Sequence, residues 1–384
     1  MKEMFRFKSF CFIAIAIAVF GCSPKIVTHS SVQKPQLKFL DVYVIPHNYK
    51  FENTIVGGLS GIDYDKKSGE YFIISDERSA TSPARFYTAK INIKNNKIAD
   101  VLFTSVNTLK RPDGSVFPPM KEDPVRAADP ESIRYNPLKN NLVWSSEGDK
   151  AVRNGVAVIQ DPSVYEMDLK GNFSDSFHIP LYMRMKAGQA GPRTNGVFEG
   201  LSFDKNFKNL YVSTEEPLFE DGRRADFDYA GAKIRITKYD AETKKPIAQY
   251  AYLLDAVARK PLIADAFRVN GVPEILWYGD NKLLVMERSF STGILSCTIK
   301  IYMADLTGAS NILNVPGLTD STTYKPASKS LLFNLDSLGR FVDNLEGITF
   351  GPILPNGNRS LILIADNNFQ ILEKSQVFLF EMLD

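Results

Sequence analysis

The chain has 384 residues, 44% hydrophobic and 23% charged, which is enough for a substantial core and argues against wholesale disorder. Lys and Arg number 46 and Asp and Glu 44; three of those bases (Lys2, Arg6, Lys8) and one acid (Glu3) fall in the first 21 residues, so 43 of each remain beyond them. That balance speaks against a broad electrostatic grip on nucleic acid, and only three cysteines and three histidines speak against a disulfide framework or a His-rich zinc site.

Residues 1–21 read as a bacterial export signal, with Lys2, Arg6 and Lys8 as the positive region and Phe10 to Phe20 as the apolar stretch. Those 11 apolar residues are too few for an ordinary membrane span. Val19-Phe20-Gly21-Cys22 resembles a lipobox, which implies cleavage before Cys22 and acylation of its thiol. The expectation is an exported chain, lipid-anchored to the cell envelope at Cys22, with Ser23 favouring the outer membrane. Residues 22–36 are polar and read as a tether, so the folded domain is expected over 37–384.

Five segments then repeat one pattern: a short strand, a turn rich in Gly, Asn, Asp, Pro or Lys, and a β-rich strand ending in an acid. They run from Gly58 to Asp76, Asp129 to Glu147, Val197 to Glu215, Val272 to Glu287 and Asn344 to Asp366. Two further strands follow each of the first four: 85–93 and 98–106, 163–169 and 172–179, 233–240 and 247–254, 298–306 and 310–315. The fifth segment is followed by one more strand, at Gln376, and Leu37 to Ile45 can supply the missing partner and close a ring. Four-stranded antiparallel units with terminal closure define an all-β propeller of five clear blades. The long connections at 182–196 and 317–343 leave room for a sixth. A monomer is expected.

In an antiparallel hairpin, the start of the first strand lies beside the end of the second. Glu131 and Glu147 are 16 residues apart, as are Glu199 and Glu215 and also Ser60 and Asp76. Glu346 and Asp366 are 20 apart across a longer turn, and Glu274 and Glu287 13 apart across a shorter one. Rotational repetition should gather these pairs at one mouth of the channel. So many carboxylates repel unless protons, arginines or a cation compensate. Oxygen ligands in such number favour Ca²⁺ over zinc. Arg78, Arg126, Arg193 and Arg288 lie in the same connections, and an arginine fork suits phosphate or carboxylate. There is no GxSxG elbow, and no Ser/His/Asp order is convincing.

The segments Arg126-AADPES, Trp144-SSEGD, Arg193-TNGVFEGLSFD, Leu210-YVSTEEP, Met286-ERSF, Asn344-LEGITF and Leu363-IADNNF resemble the phytase-like, or "esterase-like activity of phytase", family of exported propellers over about residues 40–384. The resemblance implies a propeller that hydrolyses ester or phosphoester bonds. A more distant likeness is to calcium-dependent alkaline phytases. It would make Glu131, Glu147, Glu199, Glu215, Glu346 and Asp366 the metal ligands and the arginines the phosphate holders. Two readings follow. In the first, the chain is a metal-assisted hydrolase of a small anionic or ester substrate, with Glu199, Glu131, Glu346, Arg193, Arg288 and Arg126 at the reacting centre. In the second, it is a surface binding module whose calcium is structural.

Overall fold

The computed structural model describes Met1 and residues 35–153 and 155–383. The export signal, Cys22 and the tether up to residue 34 lie outside the described residues. Among the described residues, regular structure is all β apart from three single-turn 3-10 segments, and no helix is long and apolar enough to cross a membrane.

The repeated hairpins become five four-stranded antiparallel sheets. Blade 1 comprises Leu59–Asp65, Glu70–Ser75, Arg85–Lys94 and Lys97–Thr108. Blade 2 comprises Pro130–Asn136, Asn141–Ser146, Ser163–Met167 and Phe173–Ser176. Blade 3 comprises Phe198–Phe203, Asn209–Thr214, Lys233–Asp240 and Pro246–Leu253. Blade 4 comprises Arg268–Gly279, Lys282–Ser291, Thr298–Asp305 and Ser328–Asn334. Blade 5 comprises Asn344–Ile353, Arg359–Asp366 and Gln376–Leu383, and Gln36–Val44 pairs with the last of these as its outer strand. The first strands of successive blades pack side by side, and that of blade 5 returns to that of blade 1. The ring therefore closes with five blades, not six.

Apolar residues fill the wedges between neighbouring blades. Ile74 and Phe86 of blade 1 meet Ile133 and Trp144 of blade 2, and Ile62 and Ile73 meet Ile362 and Ile364 of blade 5. Gly61 and Gly200 sit where first strands come closest. A methyl group on Gly61 would lie 2.7 Å from the Ser132 Cα, and one on Gly200 2.7 Å from the Ile275 amide nitrogen.

Two details differ from the sequence reading. The outer strand of blade 4 is Ser328–Asn334 and not the segment Ser310 to Val315. That segment is a loop whose Ile312 packs with Ala251 and Leu318 against the outer edge of blade 3, with the Ile312 amide bonded to the Gln249 carbonyl at 2.8 Å. A short hairpin, Asp149–Arg153 with Val156–Gln160, also stands on the connection after Glu147.

Candidate active site at the acidic mouth

One side chain fixes the equivalence of the blades. Arg134 donates from Nε to the Leu201 carbonyl (2.6 Å), from Nη1 to those of Ile62 (2.5 Å) and Ile133 (3.2 Å), and from Nη2 to those of Ile275 and Ile348 (both 3.1 Å). That is one carbonyl from the first strand of every blade. Arg134 therefore plugs the axis and makes these five residues structural equivalents.

Each first strand carries a bulge just before that residue, which turns the side chain two positions upstream toward the mouth. Those positions hold Ser60, Glu131, Glu199, Pro273 and Glu346. The second-strand partners of the five are Ile73, Trp144, Val212, Val285 and Leu363. Three positions beyond each partner come Asp76, Glu147, Glu215, Arg288 and Asp366. Four blades thus place a carboxylate where blade 4 places Arg288.

The expected pair Glu274 and Glu287 is out of step by one residue. Glu274 occupies the small-residue position of Gly61, Ser132, Gly200 and Gly347, and it points inward. It pairs with Arg134 at 2.9 Å and accepts from Ser132 Oγ (2.6 Å) and the Leu201 amide (2.8 Å). Burial outweighs the nearby Arg134 and pushes its carboxyl up to about 7. Glu287 faces away into blade 4, where it accepts from Tyr252 Oη (2.7 Å) and Lys329 Nζ (2.6 Å). Neither belongs to the mouth.

The remaining acids converge. Oxygen atoms of Asp76, Asp129 and Glu131 all lie within 4.8 Å of one another, and so do those of Glu131, Glu147 and Glu199, so the two trios share Glu131. Arg288 links the rest, donating from Nη2 to Glu215 at 2.6 Å and from Nη1 to Glu346 at 3.0 Å and to Asn344. Arg78 pairs with Asp129 and stands 3.6 Å from Asp149. Asp366 is buried beside Glu346, and its Oδ1 accepts the Asn368 amide at 2.8 Å.

Burial, reinforced by neighbouring charge, raises nearly all of these groups. Asp76, Glu131, Glu199 and Asp366 are held well above the usual carboxylate range. Burial and the charges of Asp129 and Glu215 push Glu147 up to about 8. Burial carries Glu346 to about 7 despite Arg288. Asp129 rises less, because Arg78 opposes its burial.

The donor set fits a hard divalent cation. It is all oxygen and dense, made of carboxyls whose protons a cation can replace, and Glu346 Oε2 is buried without a hydrogen-bond partner. Either trio, Glu131 with Glu147 and Glu199 or Glu131 with Asp76 and Asp129, is close enough together to hold one.

The three expected arginines part company. Arg288 is inside the cluster. Arg126 is not: it is exposed and paired with Asp123 three residues earlier in the same turn. Arg193 stands to one side, its guanidinium 4.1 Å over the Phe219 ring and donating to the carbonyls of Pro217 (2.9 Å) and Gly222 (2.7 Å). Together with Arg223, Arg224 and Arg268 it lines a pocket of about 400 Å³. Burial and the like charge of Arg224 lower its pKa. Arg224 pairs with Glu216, which lies beside Glu215 and is pushed by burial up to about 7. The arginine pocket therefore borders the acidic mouth. Sequence reasoning did not assign roles to Asp129, Glu216 or Arg134. Asp129 had a visible signal, since it lies inside the Arg126-AADPES motif.

A five-bladed propeller with a carboxylate-lined mouth and a sealed axis is the class of protein that fold and site define. The sequence profile of the phytase-like family, described as "Esterase-like activity of phytase", matches residues 54–369, and the chain belongs to that family. No curated protein matches it. Among solved structures it is similar to an endo-arabinase from Bacteroides thetaiotaomicron, with 15% identity, covering 88% of this chain and 98% of that one at a TM-score of 0.43. It is also similar to an exo-β-1,3-galactanase from Phanerochaete chrysosporium, with 10% identity, covering 88% and 64% at a TM-score of 0.47. A periplasmic gluconolactonase from Pseudomonas aeruginosa is 10% identical, with 84% of each chain covered at a TM-score of 0.34.

Proposed function

We propose that the protein is a metal-assisted hydrolase of phosphoester or ester bonds, acting at the acidic mouth on a small anionic substrate. The observation that carries this reading is the pair of carboxylate trios sharing Glu131, gathered and largely buried at the end of the inner strands. A divalent cation, Ca²⁺ by the chemistry of the donors, supplies Lewis acidity and lowers the pKa of a water when bound there. Glu131 would hold it together with either Glu147 and Glu199 or Asp76 and Asp129. Arg288 keeps Glu215 and Glu346 in place and partly neutralises them. Glu346, outside the two trios and raised to about 7, is matched to holding and releasing a proton near neutrality. Arg193 and its neighbours stand where an anionic group of the substrate can rest beside the reacting centre.

The same proposal makes the chain an exported lipoprotein anchored at Cys22. Gln36 pairs with Leu383 and Val44 with Gln376, so the chain enters the propeller on the face opposite the acidic mouth. Replacing Cys22 by Ala should move the protein from the membrane fraction to the soluble one.

The deciding experiment assays p-nitrophenyl phosphate, phytate and a simple carboxylic ester with Ca²⁺ and with a chelator. Turnover should need the metal and should fall at least a hundredfold in Glu131→Gln and Glu199→Gln. A calcium-raised melting temperature with no turnover on any substrate would instead favour a binding scaffold.

A further inference from the structure

The mouth on the other side of Arg134 opens into a cavity of about 650 Å³, within the range of small-molecule pockets, roughly 300–1,000 Å³. Its walls repeat with the blades. Two residues after each carbonyl that Arg134 holds stands an aromatic ring: Tyr64, Tyr135, Phe203, Trp277 and Phe350, all of which line the cavity. Each ring also closes the end of a different interblade core. One side of this collar is therefore spent on packing and the other faces the cavity.

The floor offers a ligand little polar purchase. Arg134 is engaged by the five carbonyls and Glu274. Both oxygens of Asp63 are used, one by the Tyr135 amide (2.8 Å) and one by the Thr349 hydroxyl (2.9 Å). Ser202 Oγ accepts the Trp277 amide at 2.7 Å. A hydroxyl-rich ligand such as a sugar would bury its polar edge against groups already satisfied, which is unfavourable.

Charge is found at the rim instead. Lys66, Lys67 and Lys205 are exposed there. Of the three rim acids, Asp65 and Asp204 are turned back onto the amides of their own turns, Asp65 onto those of Lys67 and Ser68 and Asp204 onto that of Lys208, while Asp280 is exposed at the lip, where the three lysines outnumber it. The arrangement is an apolar, ring-walled well with ammonium groups at its lip. The geometry points to a second ligand site at this mouth, which takes a small anionic amphiphile, its apolar body among the five rings and its carboxylate or phosphate head among Lys66, Lys67 and Lys205. The site is sealed from the acidic mouth, so it stands or falls independently of the hydrolase reading.

Dodecanoate below its micellar concentration is a suitable probe, followed by calorimetry and by tryptophan fluorescence. The chain has two tryptophans. Trp144 is buried between blades 1 and 2, whereas Trp277 lines the cavity. Saturable one-to-one binding is expected, with a fluorescence change that disappears in Trp277→Phe. Reversing the exposed lysines together (Lys66→Glu, Lys67→Glu, Lys205→Glu) should weaken dodecanoate at least tenfold and leave dodecanol within about twofold. Glu199→Gln at the other mouth should leave dodecanoate binding unchanged. The assignment is overturned by any of four results: no saturable binding, affinity indifferent to the lysine reversal, a fluorescence change that survives Trp277→Phe, or tighter binding of dodecyltrimethylammonium or galactose than of dodecanoate.

Discussion

Arg134 bonds to a carbonyl of every blade, and its position explains why a charge is tolerated at the centre. Its hydrogens meet five carbonyl oxygens that first strands at the axis could not otherwise pair, and Glu274 balances its charge. Removing one partner of such a buried pair leaves the other uncompensated, at a cost of about 3–5 kcal/mol. Arg134→Met should therefore lower the unfolding free energy obtained from urea titration by that order, without touching the acidic mouth directly. The double variant Arg134→Met, Glu274→Leu should recover only part of the loss, because the carbonyls stay unbonded. Recovery to the wild-type midpoint would mean that the ion pair alone mattered and that the axial carbonyls find water. None of this was legible beforehand, since Arg134 is simply a basic residue in a strand until the blades are superimposed.

At the scale of the hairpin, much more could be read. Alternation and turn chemistry located the strands, and the 16-residue spacing of Glu131 with Glu147 and of Glu199 with Glu215 brought the right side chains to one mouth. Blade 4 misled because it carries an acid immediately beside each matching position: Glu274 follows Pro273 and Glu287 precedes Arg288. Only backbone register separates those neighbours, and a one-residue step in a strand turns a side chain to the other face. The aromatic collar was in plain sight, at a constant distance from each first-strand bulge, but a ring in a strand is ordinarily core and these rings are partly so. The glycine after Glu199 has a consequence that can be measured. Its absent side chain lets blade 3 approach blade 4, where a methyl would meet the Ile275 nitrogen at 2.7 Å and the Glu274 Cα at 2.9 Å. Backbone cannot swing aside as a flexible side chain can, so Gly200→Ala should destabilise by about 1–3 kcal/mol. Urea unfolding at fixed pH and calcium is the check, and an unchanged midpoint would show that the blades can part without loss.

At the scale of the molecule, closure and charge act against each other. Gln36–Val44 covers the last strand of blade 5, with Phe39 edge-on to Phe380 at 5.6 Å. A chain beginning at Pro46 would expose that strand as an unpaired edge, so it should associate or fail to give a monodisperse peak in gel filtration. Closing the ring also forces the carboxylates together, and that makes stability depend on pH. Asp76, Glu131, Glu147, Glu199, Glu346 and Asp366 all have folded-state pKa values above their ordinary ones, Glu147 reaching about 8 and Glu346 about 7. A carboxyl with a raised folded-state pKa binds its proton more tightly in the native state than in the unfolded chain. Its contribution is fully present below the unfolded value, about 4, and is lost as pH climbs through the folded one. Without metal, the melting temperature should therefore fall steadily between about pH 5 and pH 8. A cation at the mouth replaces those protons, so calcium should restore stability most where protons are scarcest. At a hundred times its dissociation constant it adds about 2.7 kcal/mol to a native state that alone binds it. Melting curves at pH 5 and pH 8, each with calcium and with chelator, test both signs together. The expected pattern is a small calcium effect at pH 5, a large one at pH 8, and proton release on binding at pH 8. Equal calcium effects at both pH values would mean that the ion sits away from the mouth, and Glu131→Gln should then leave them unchanged.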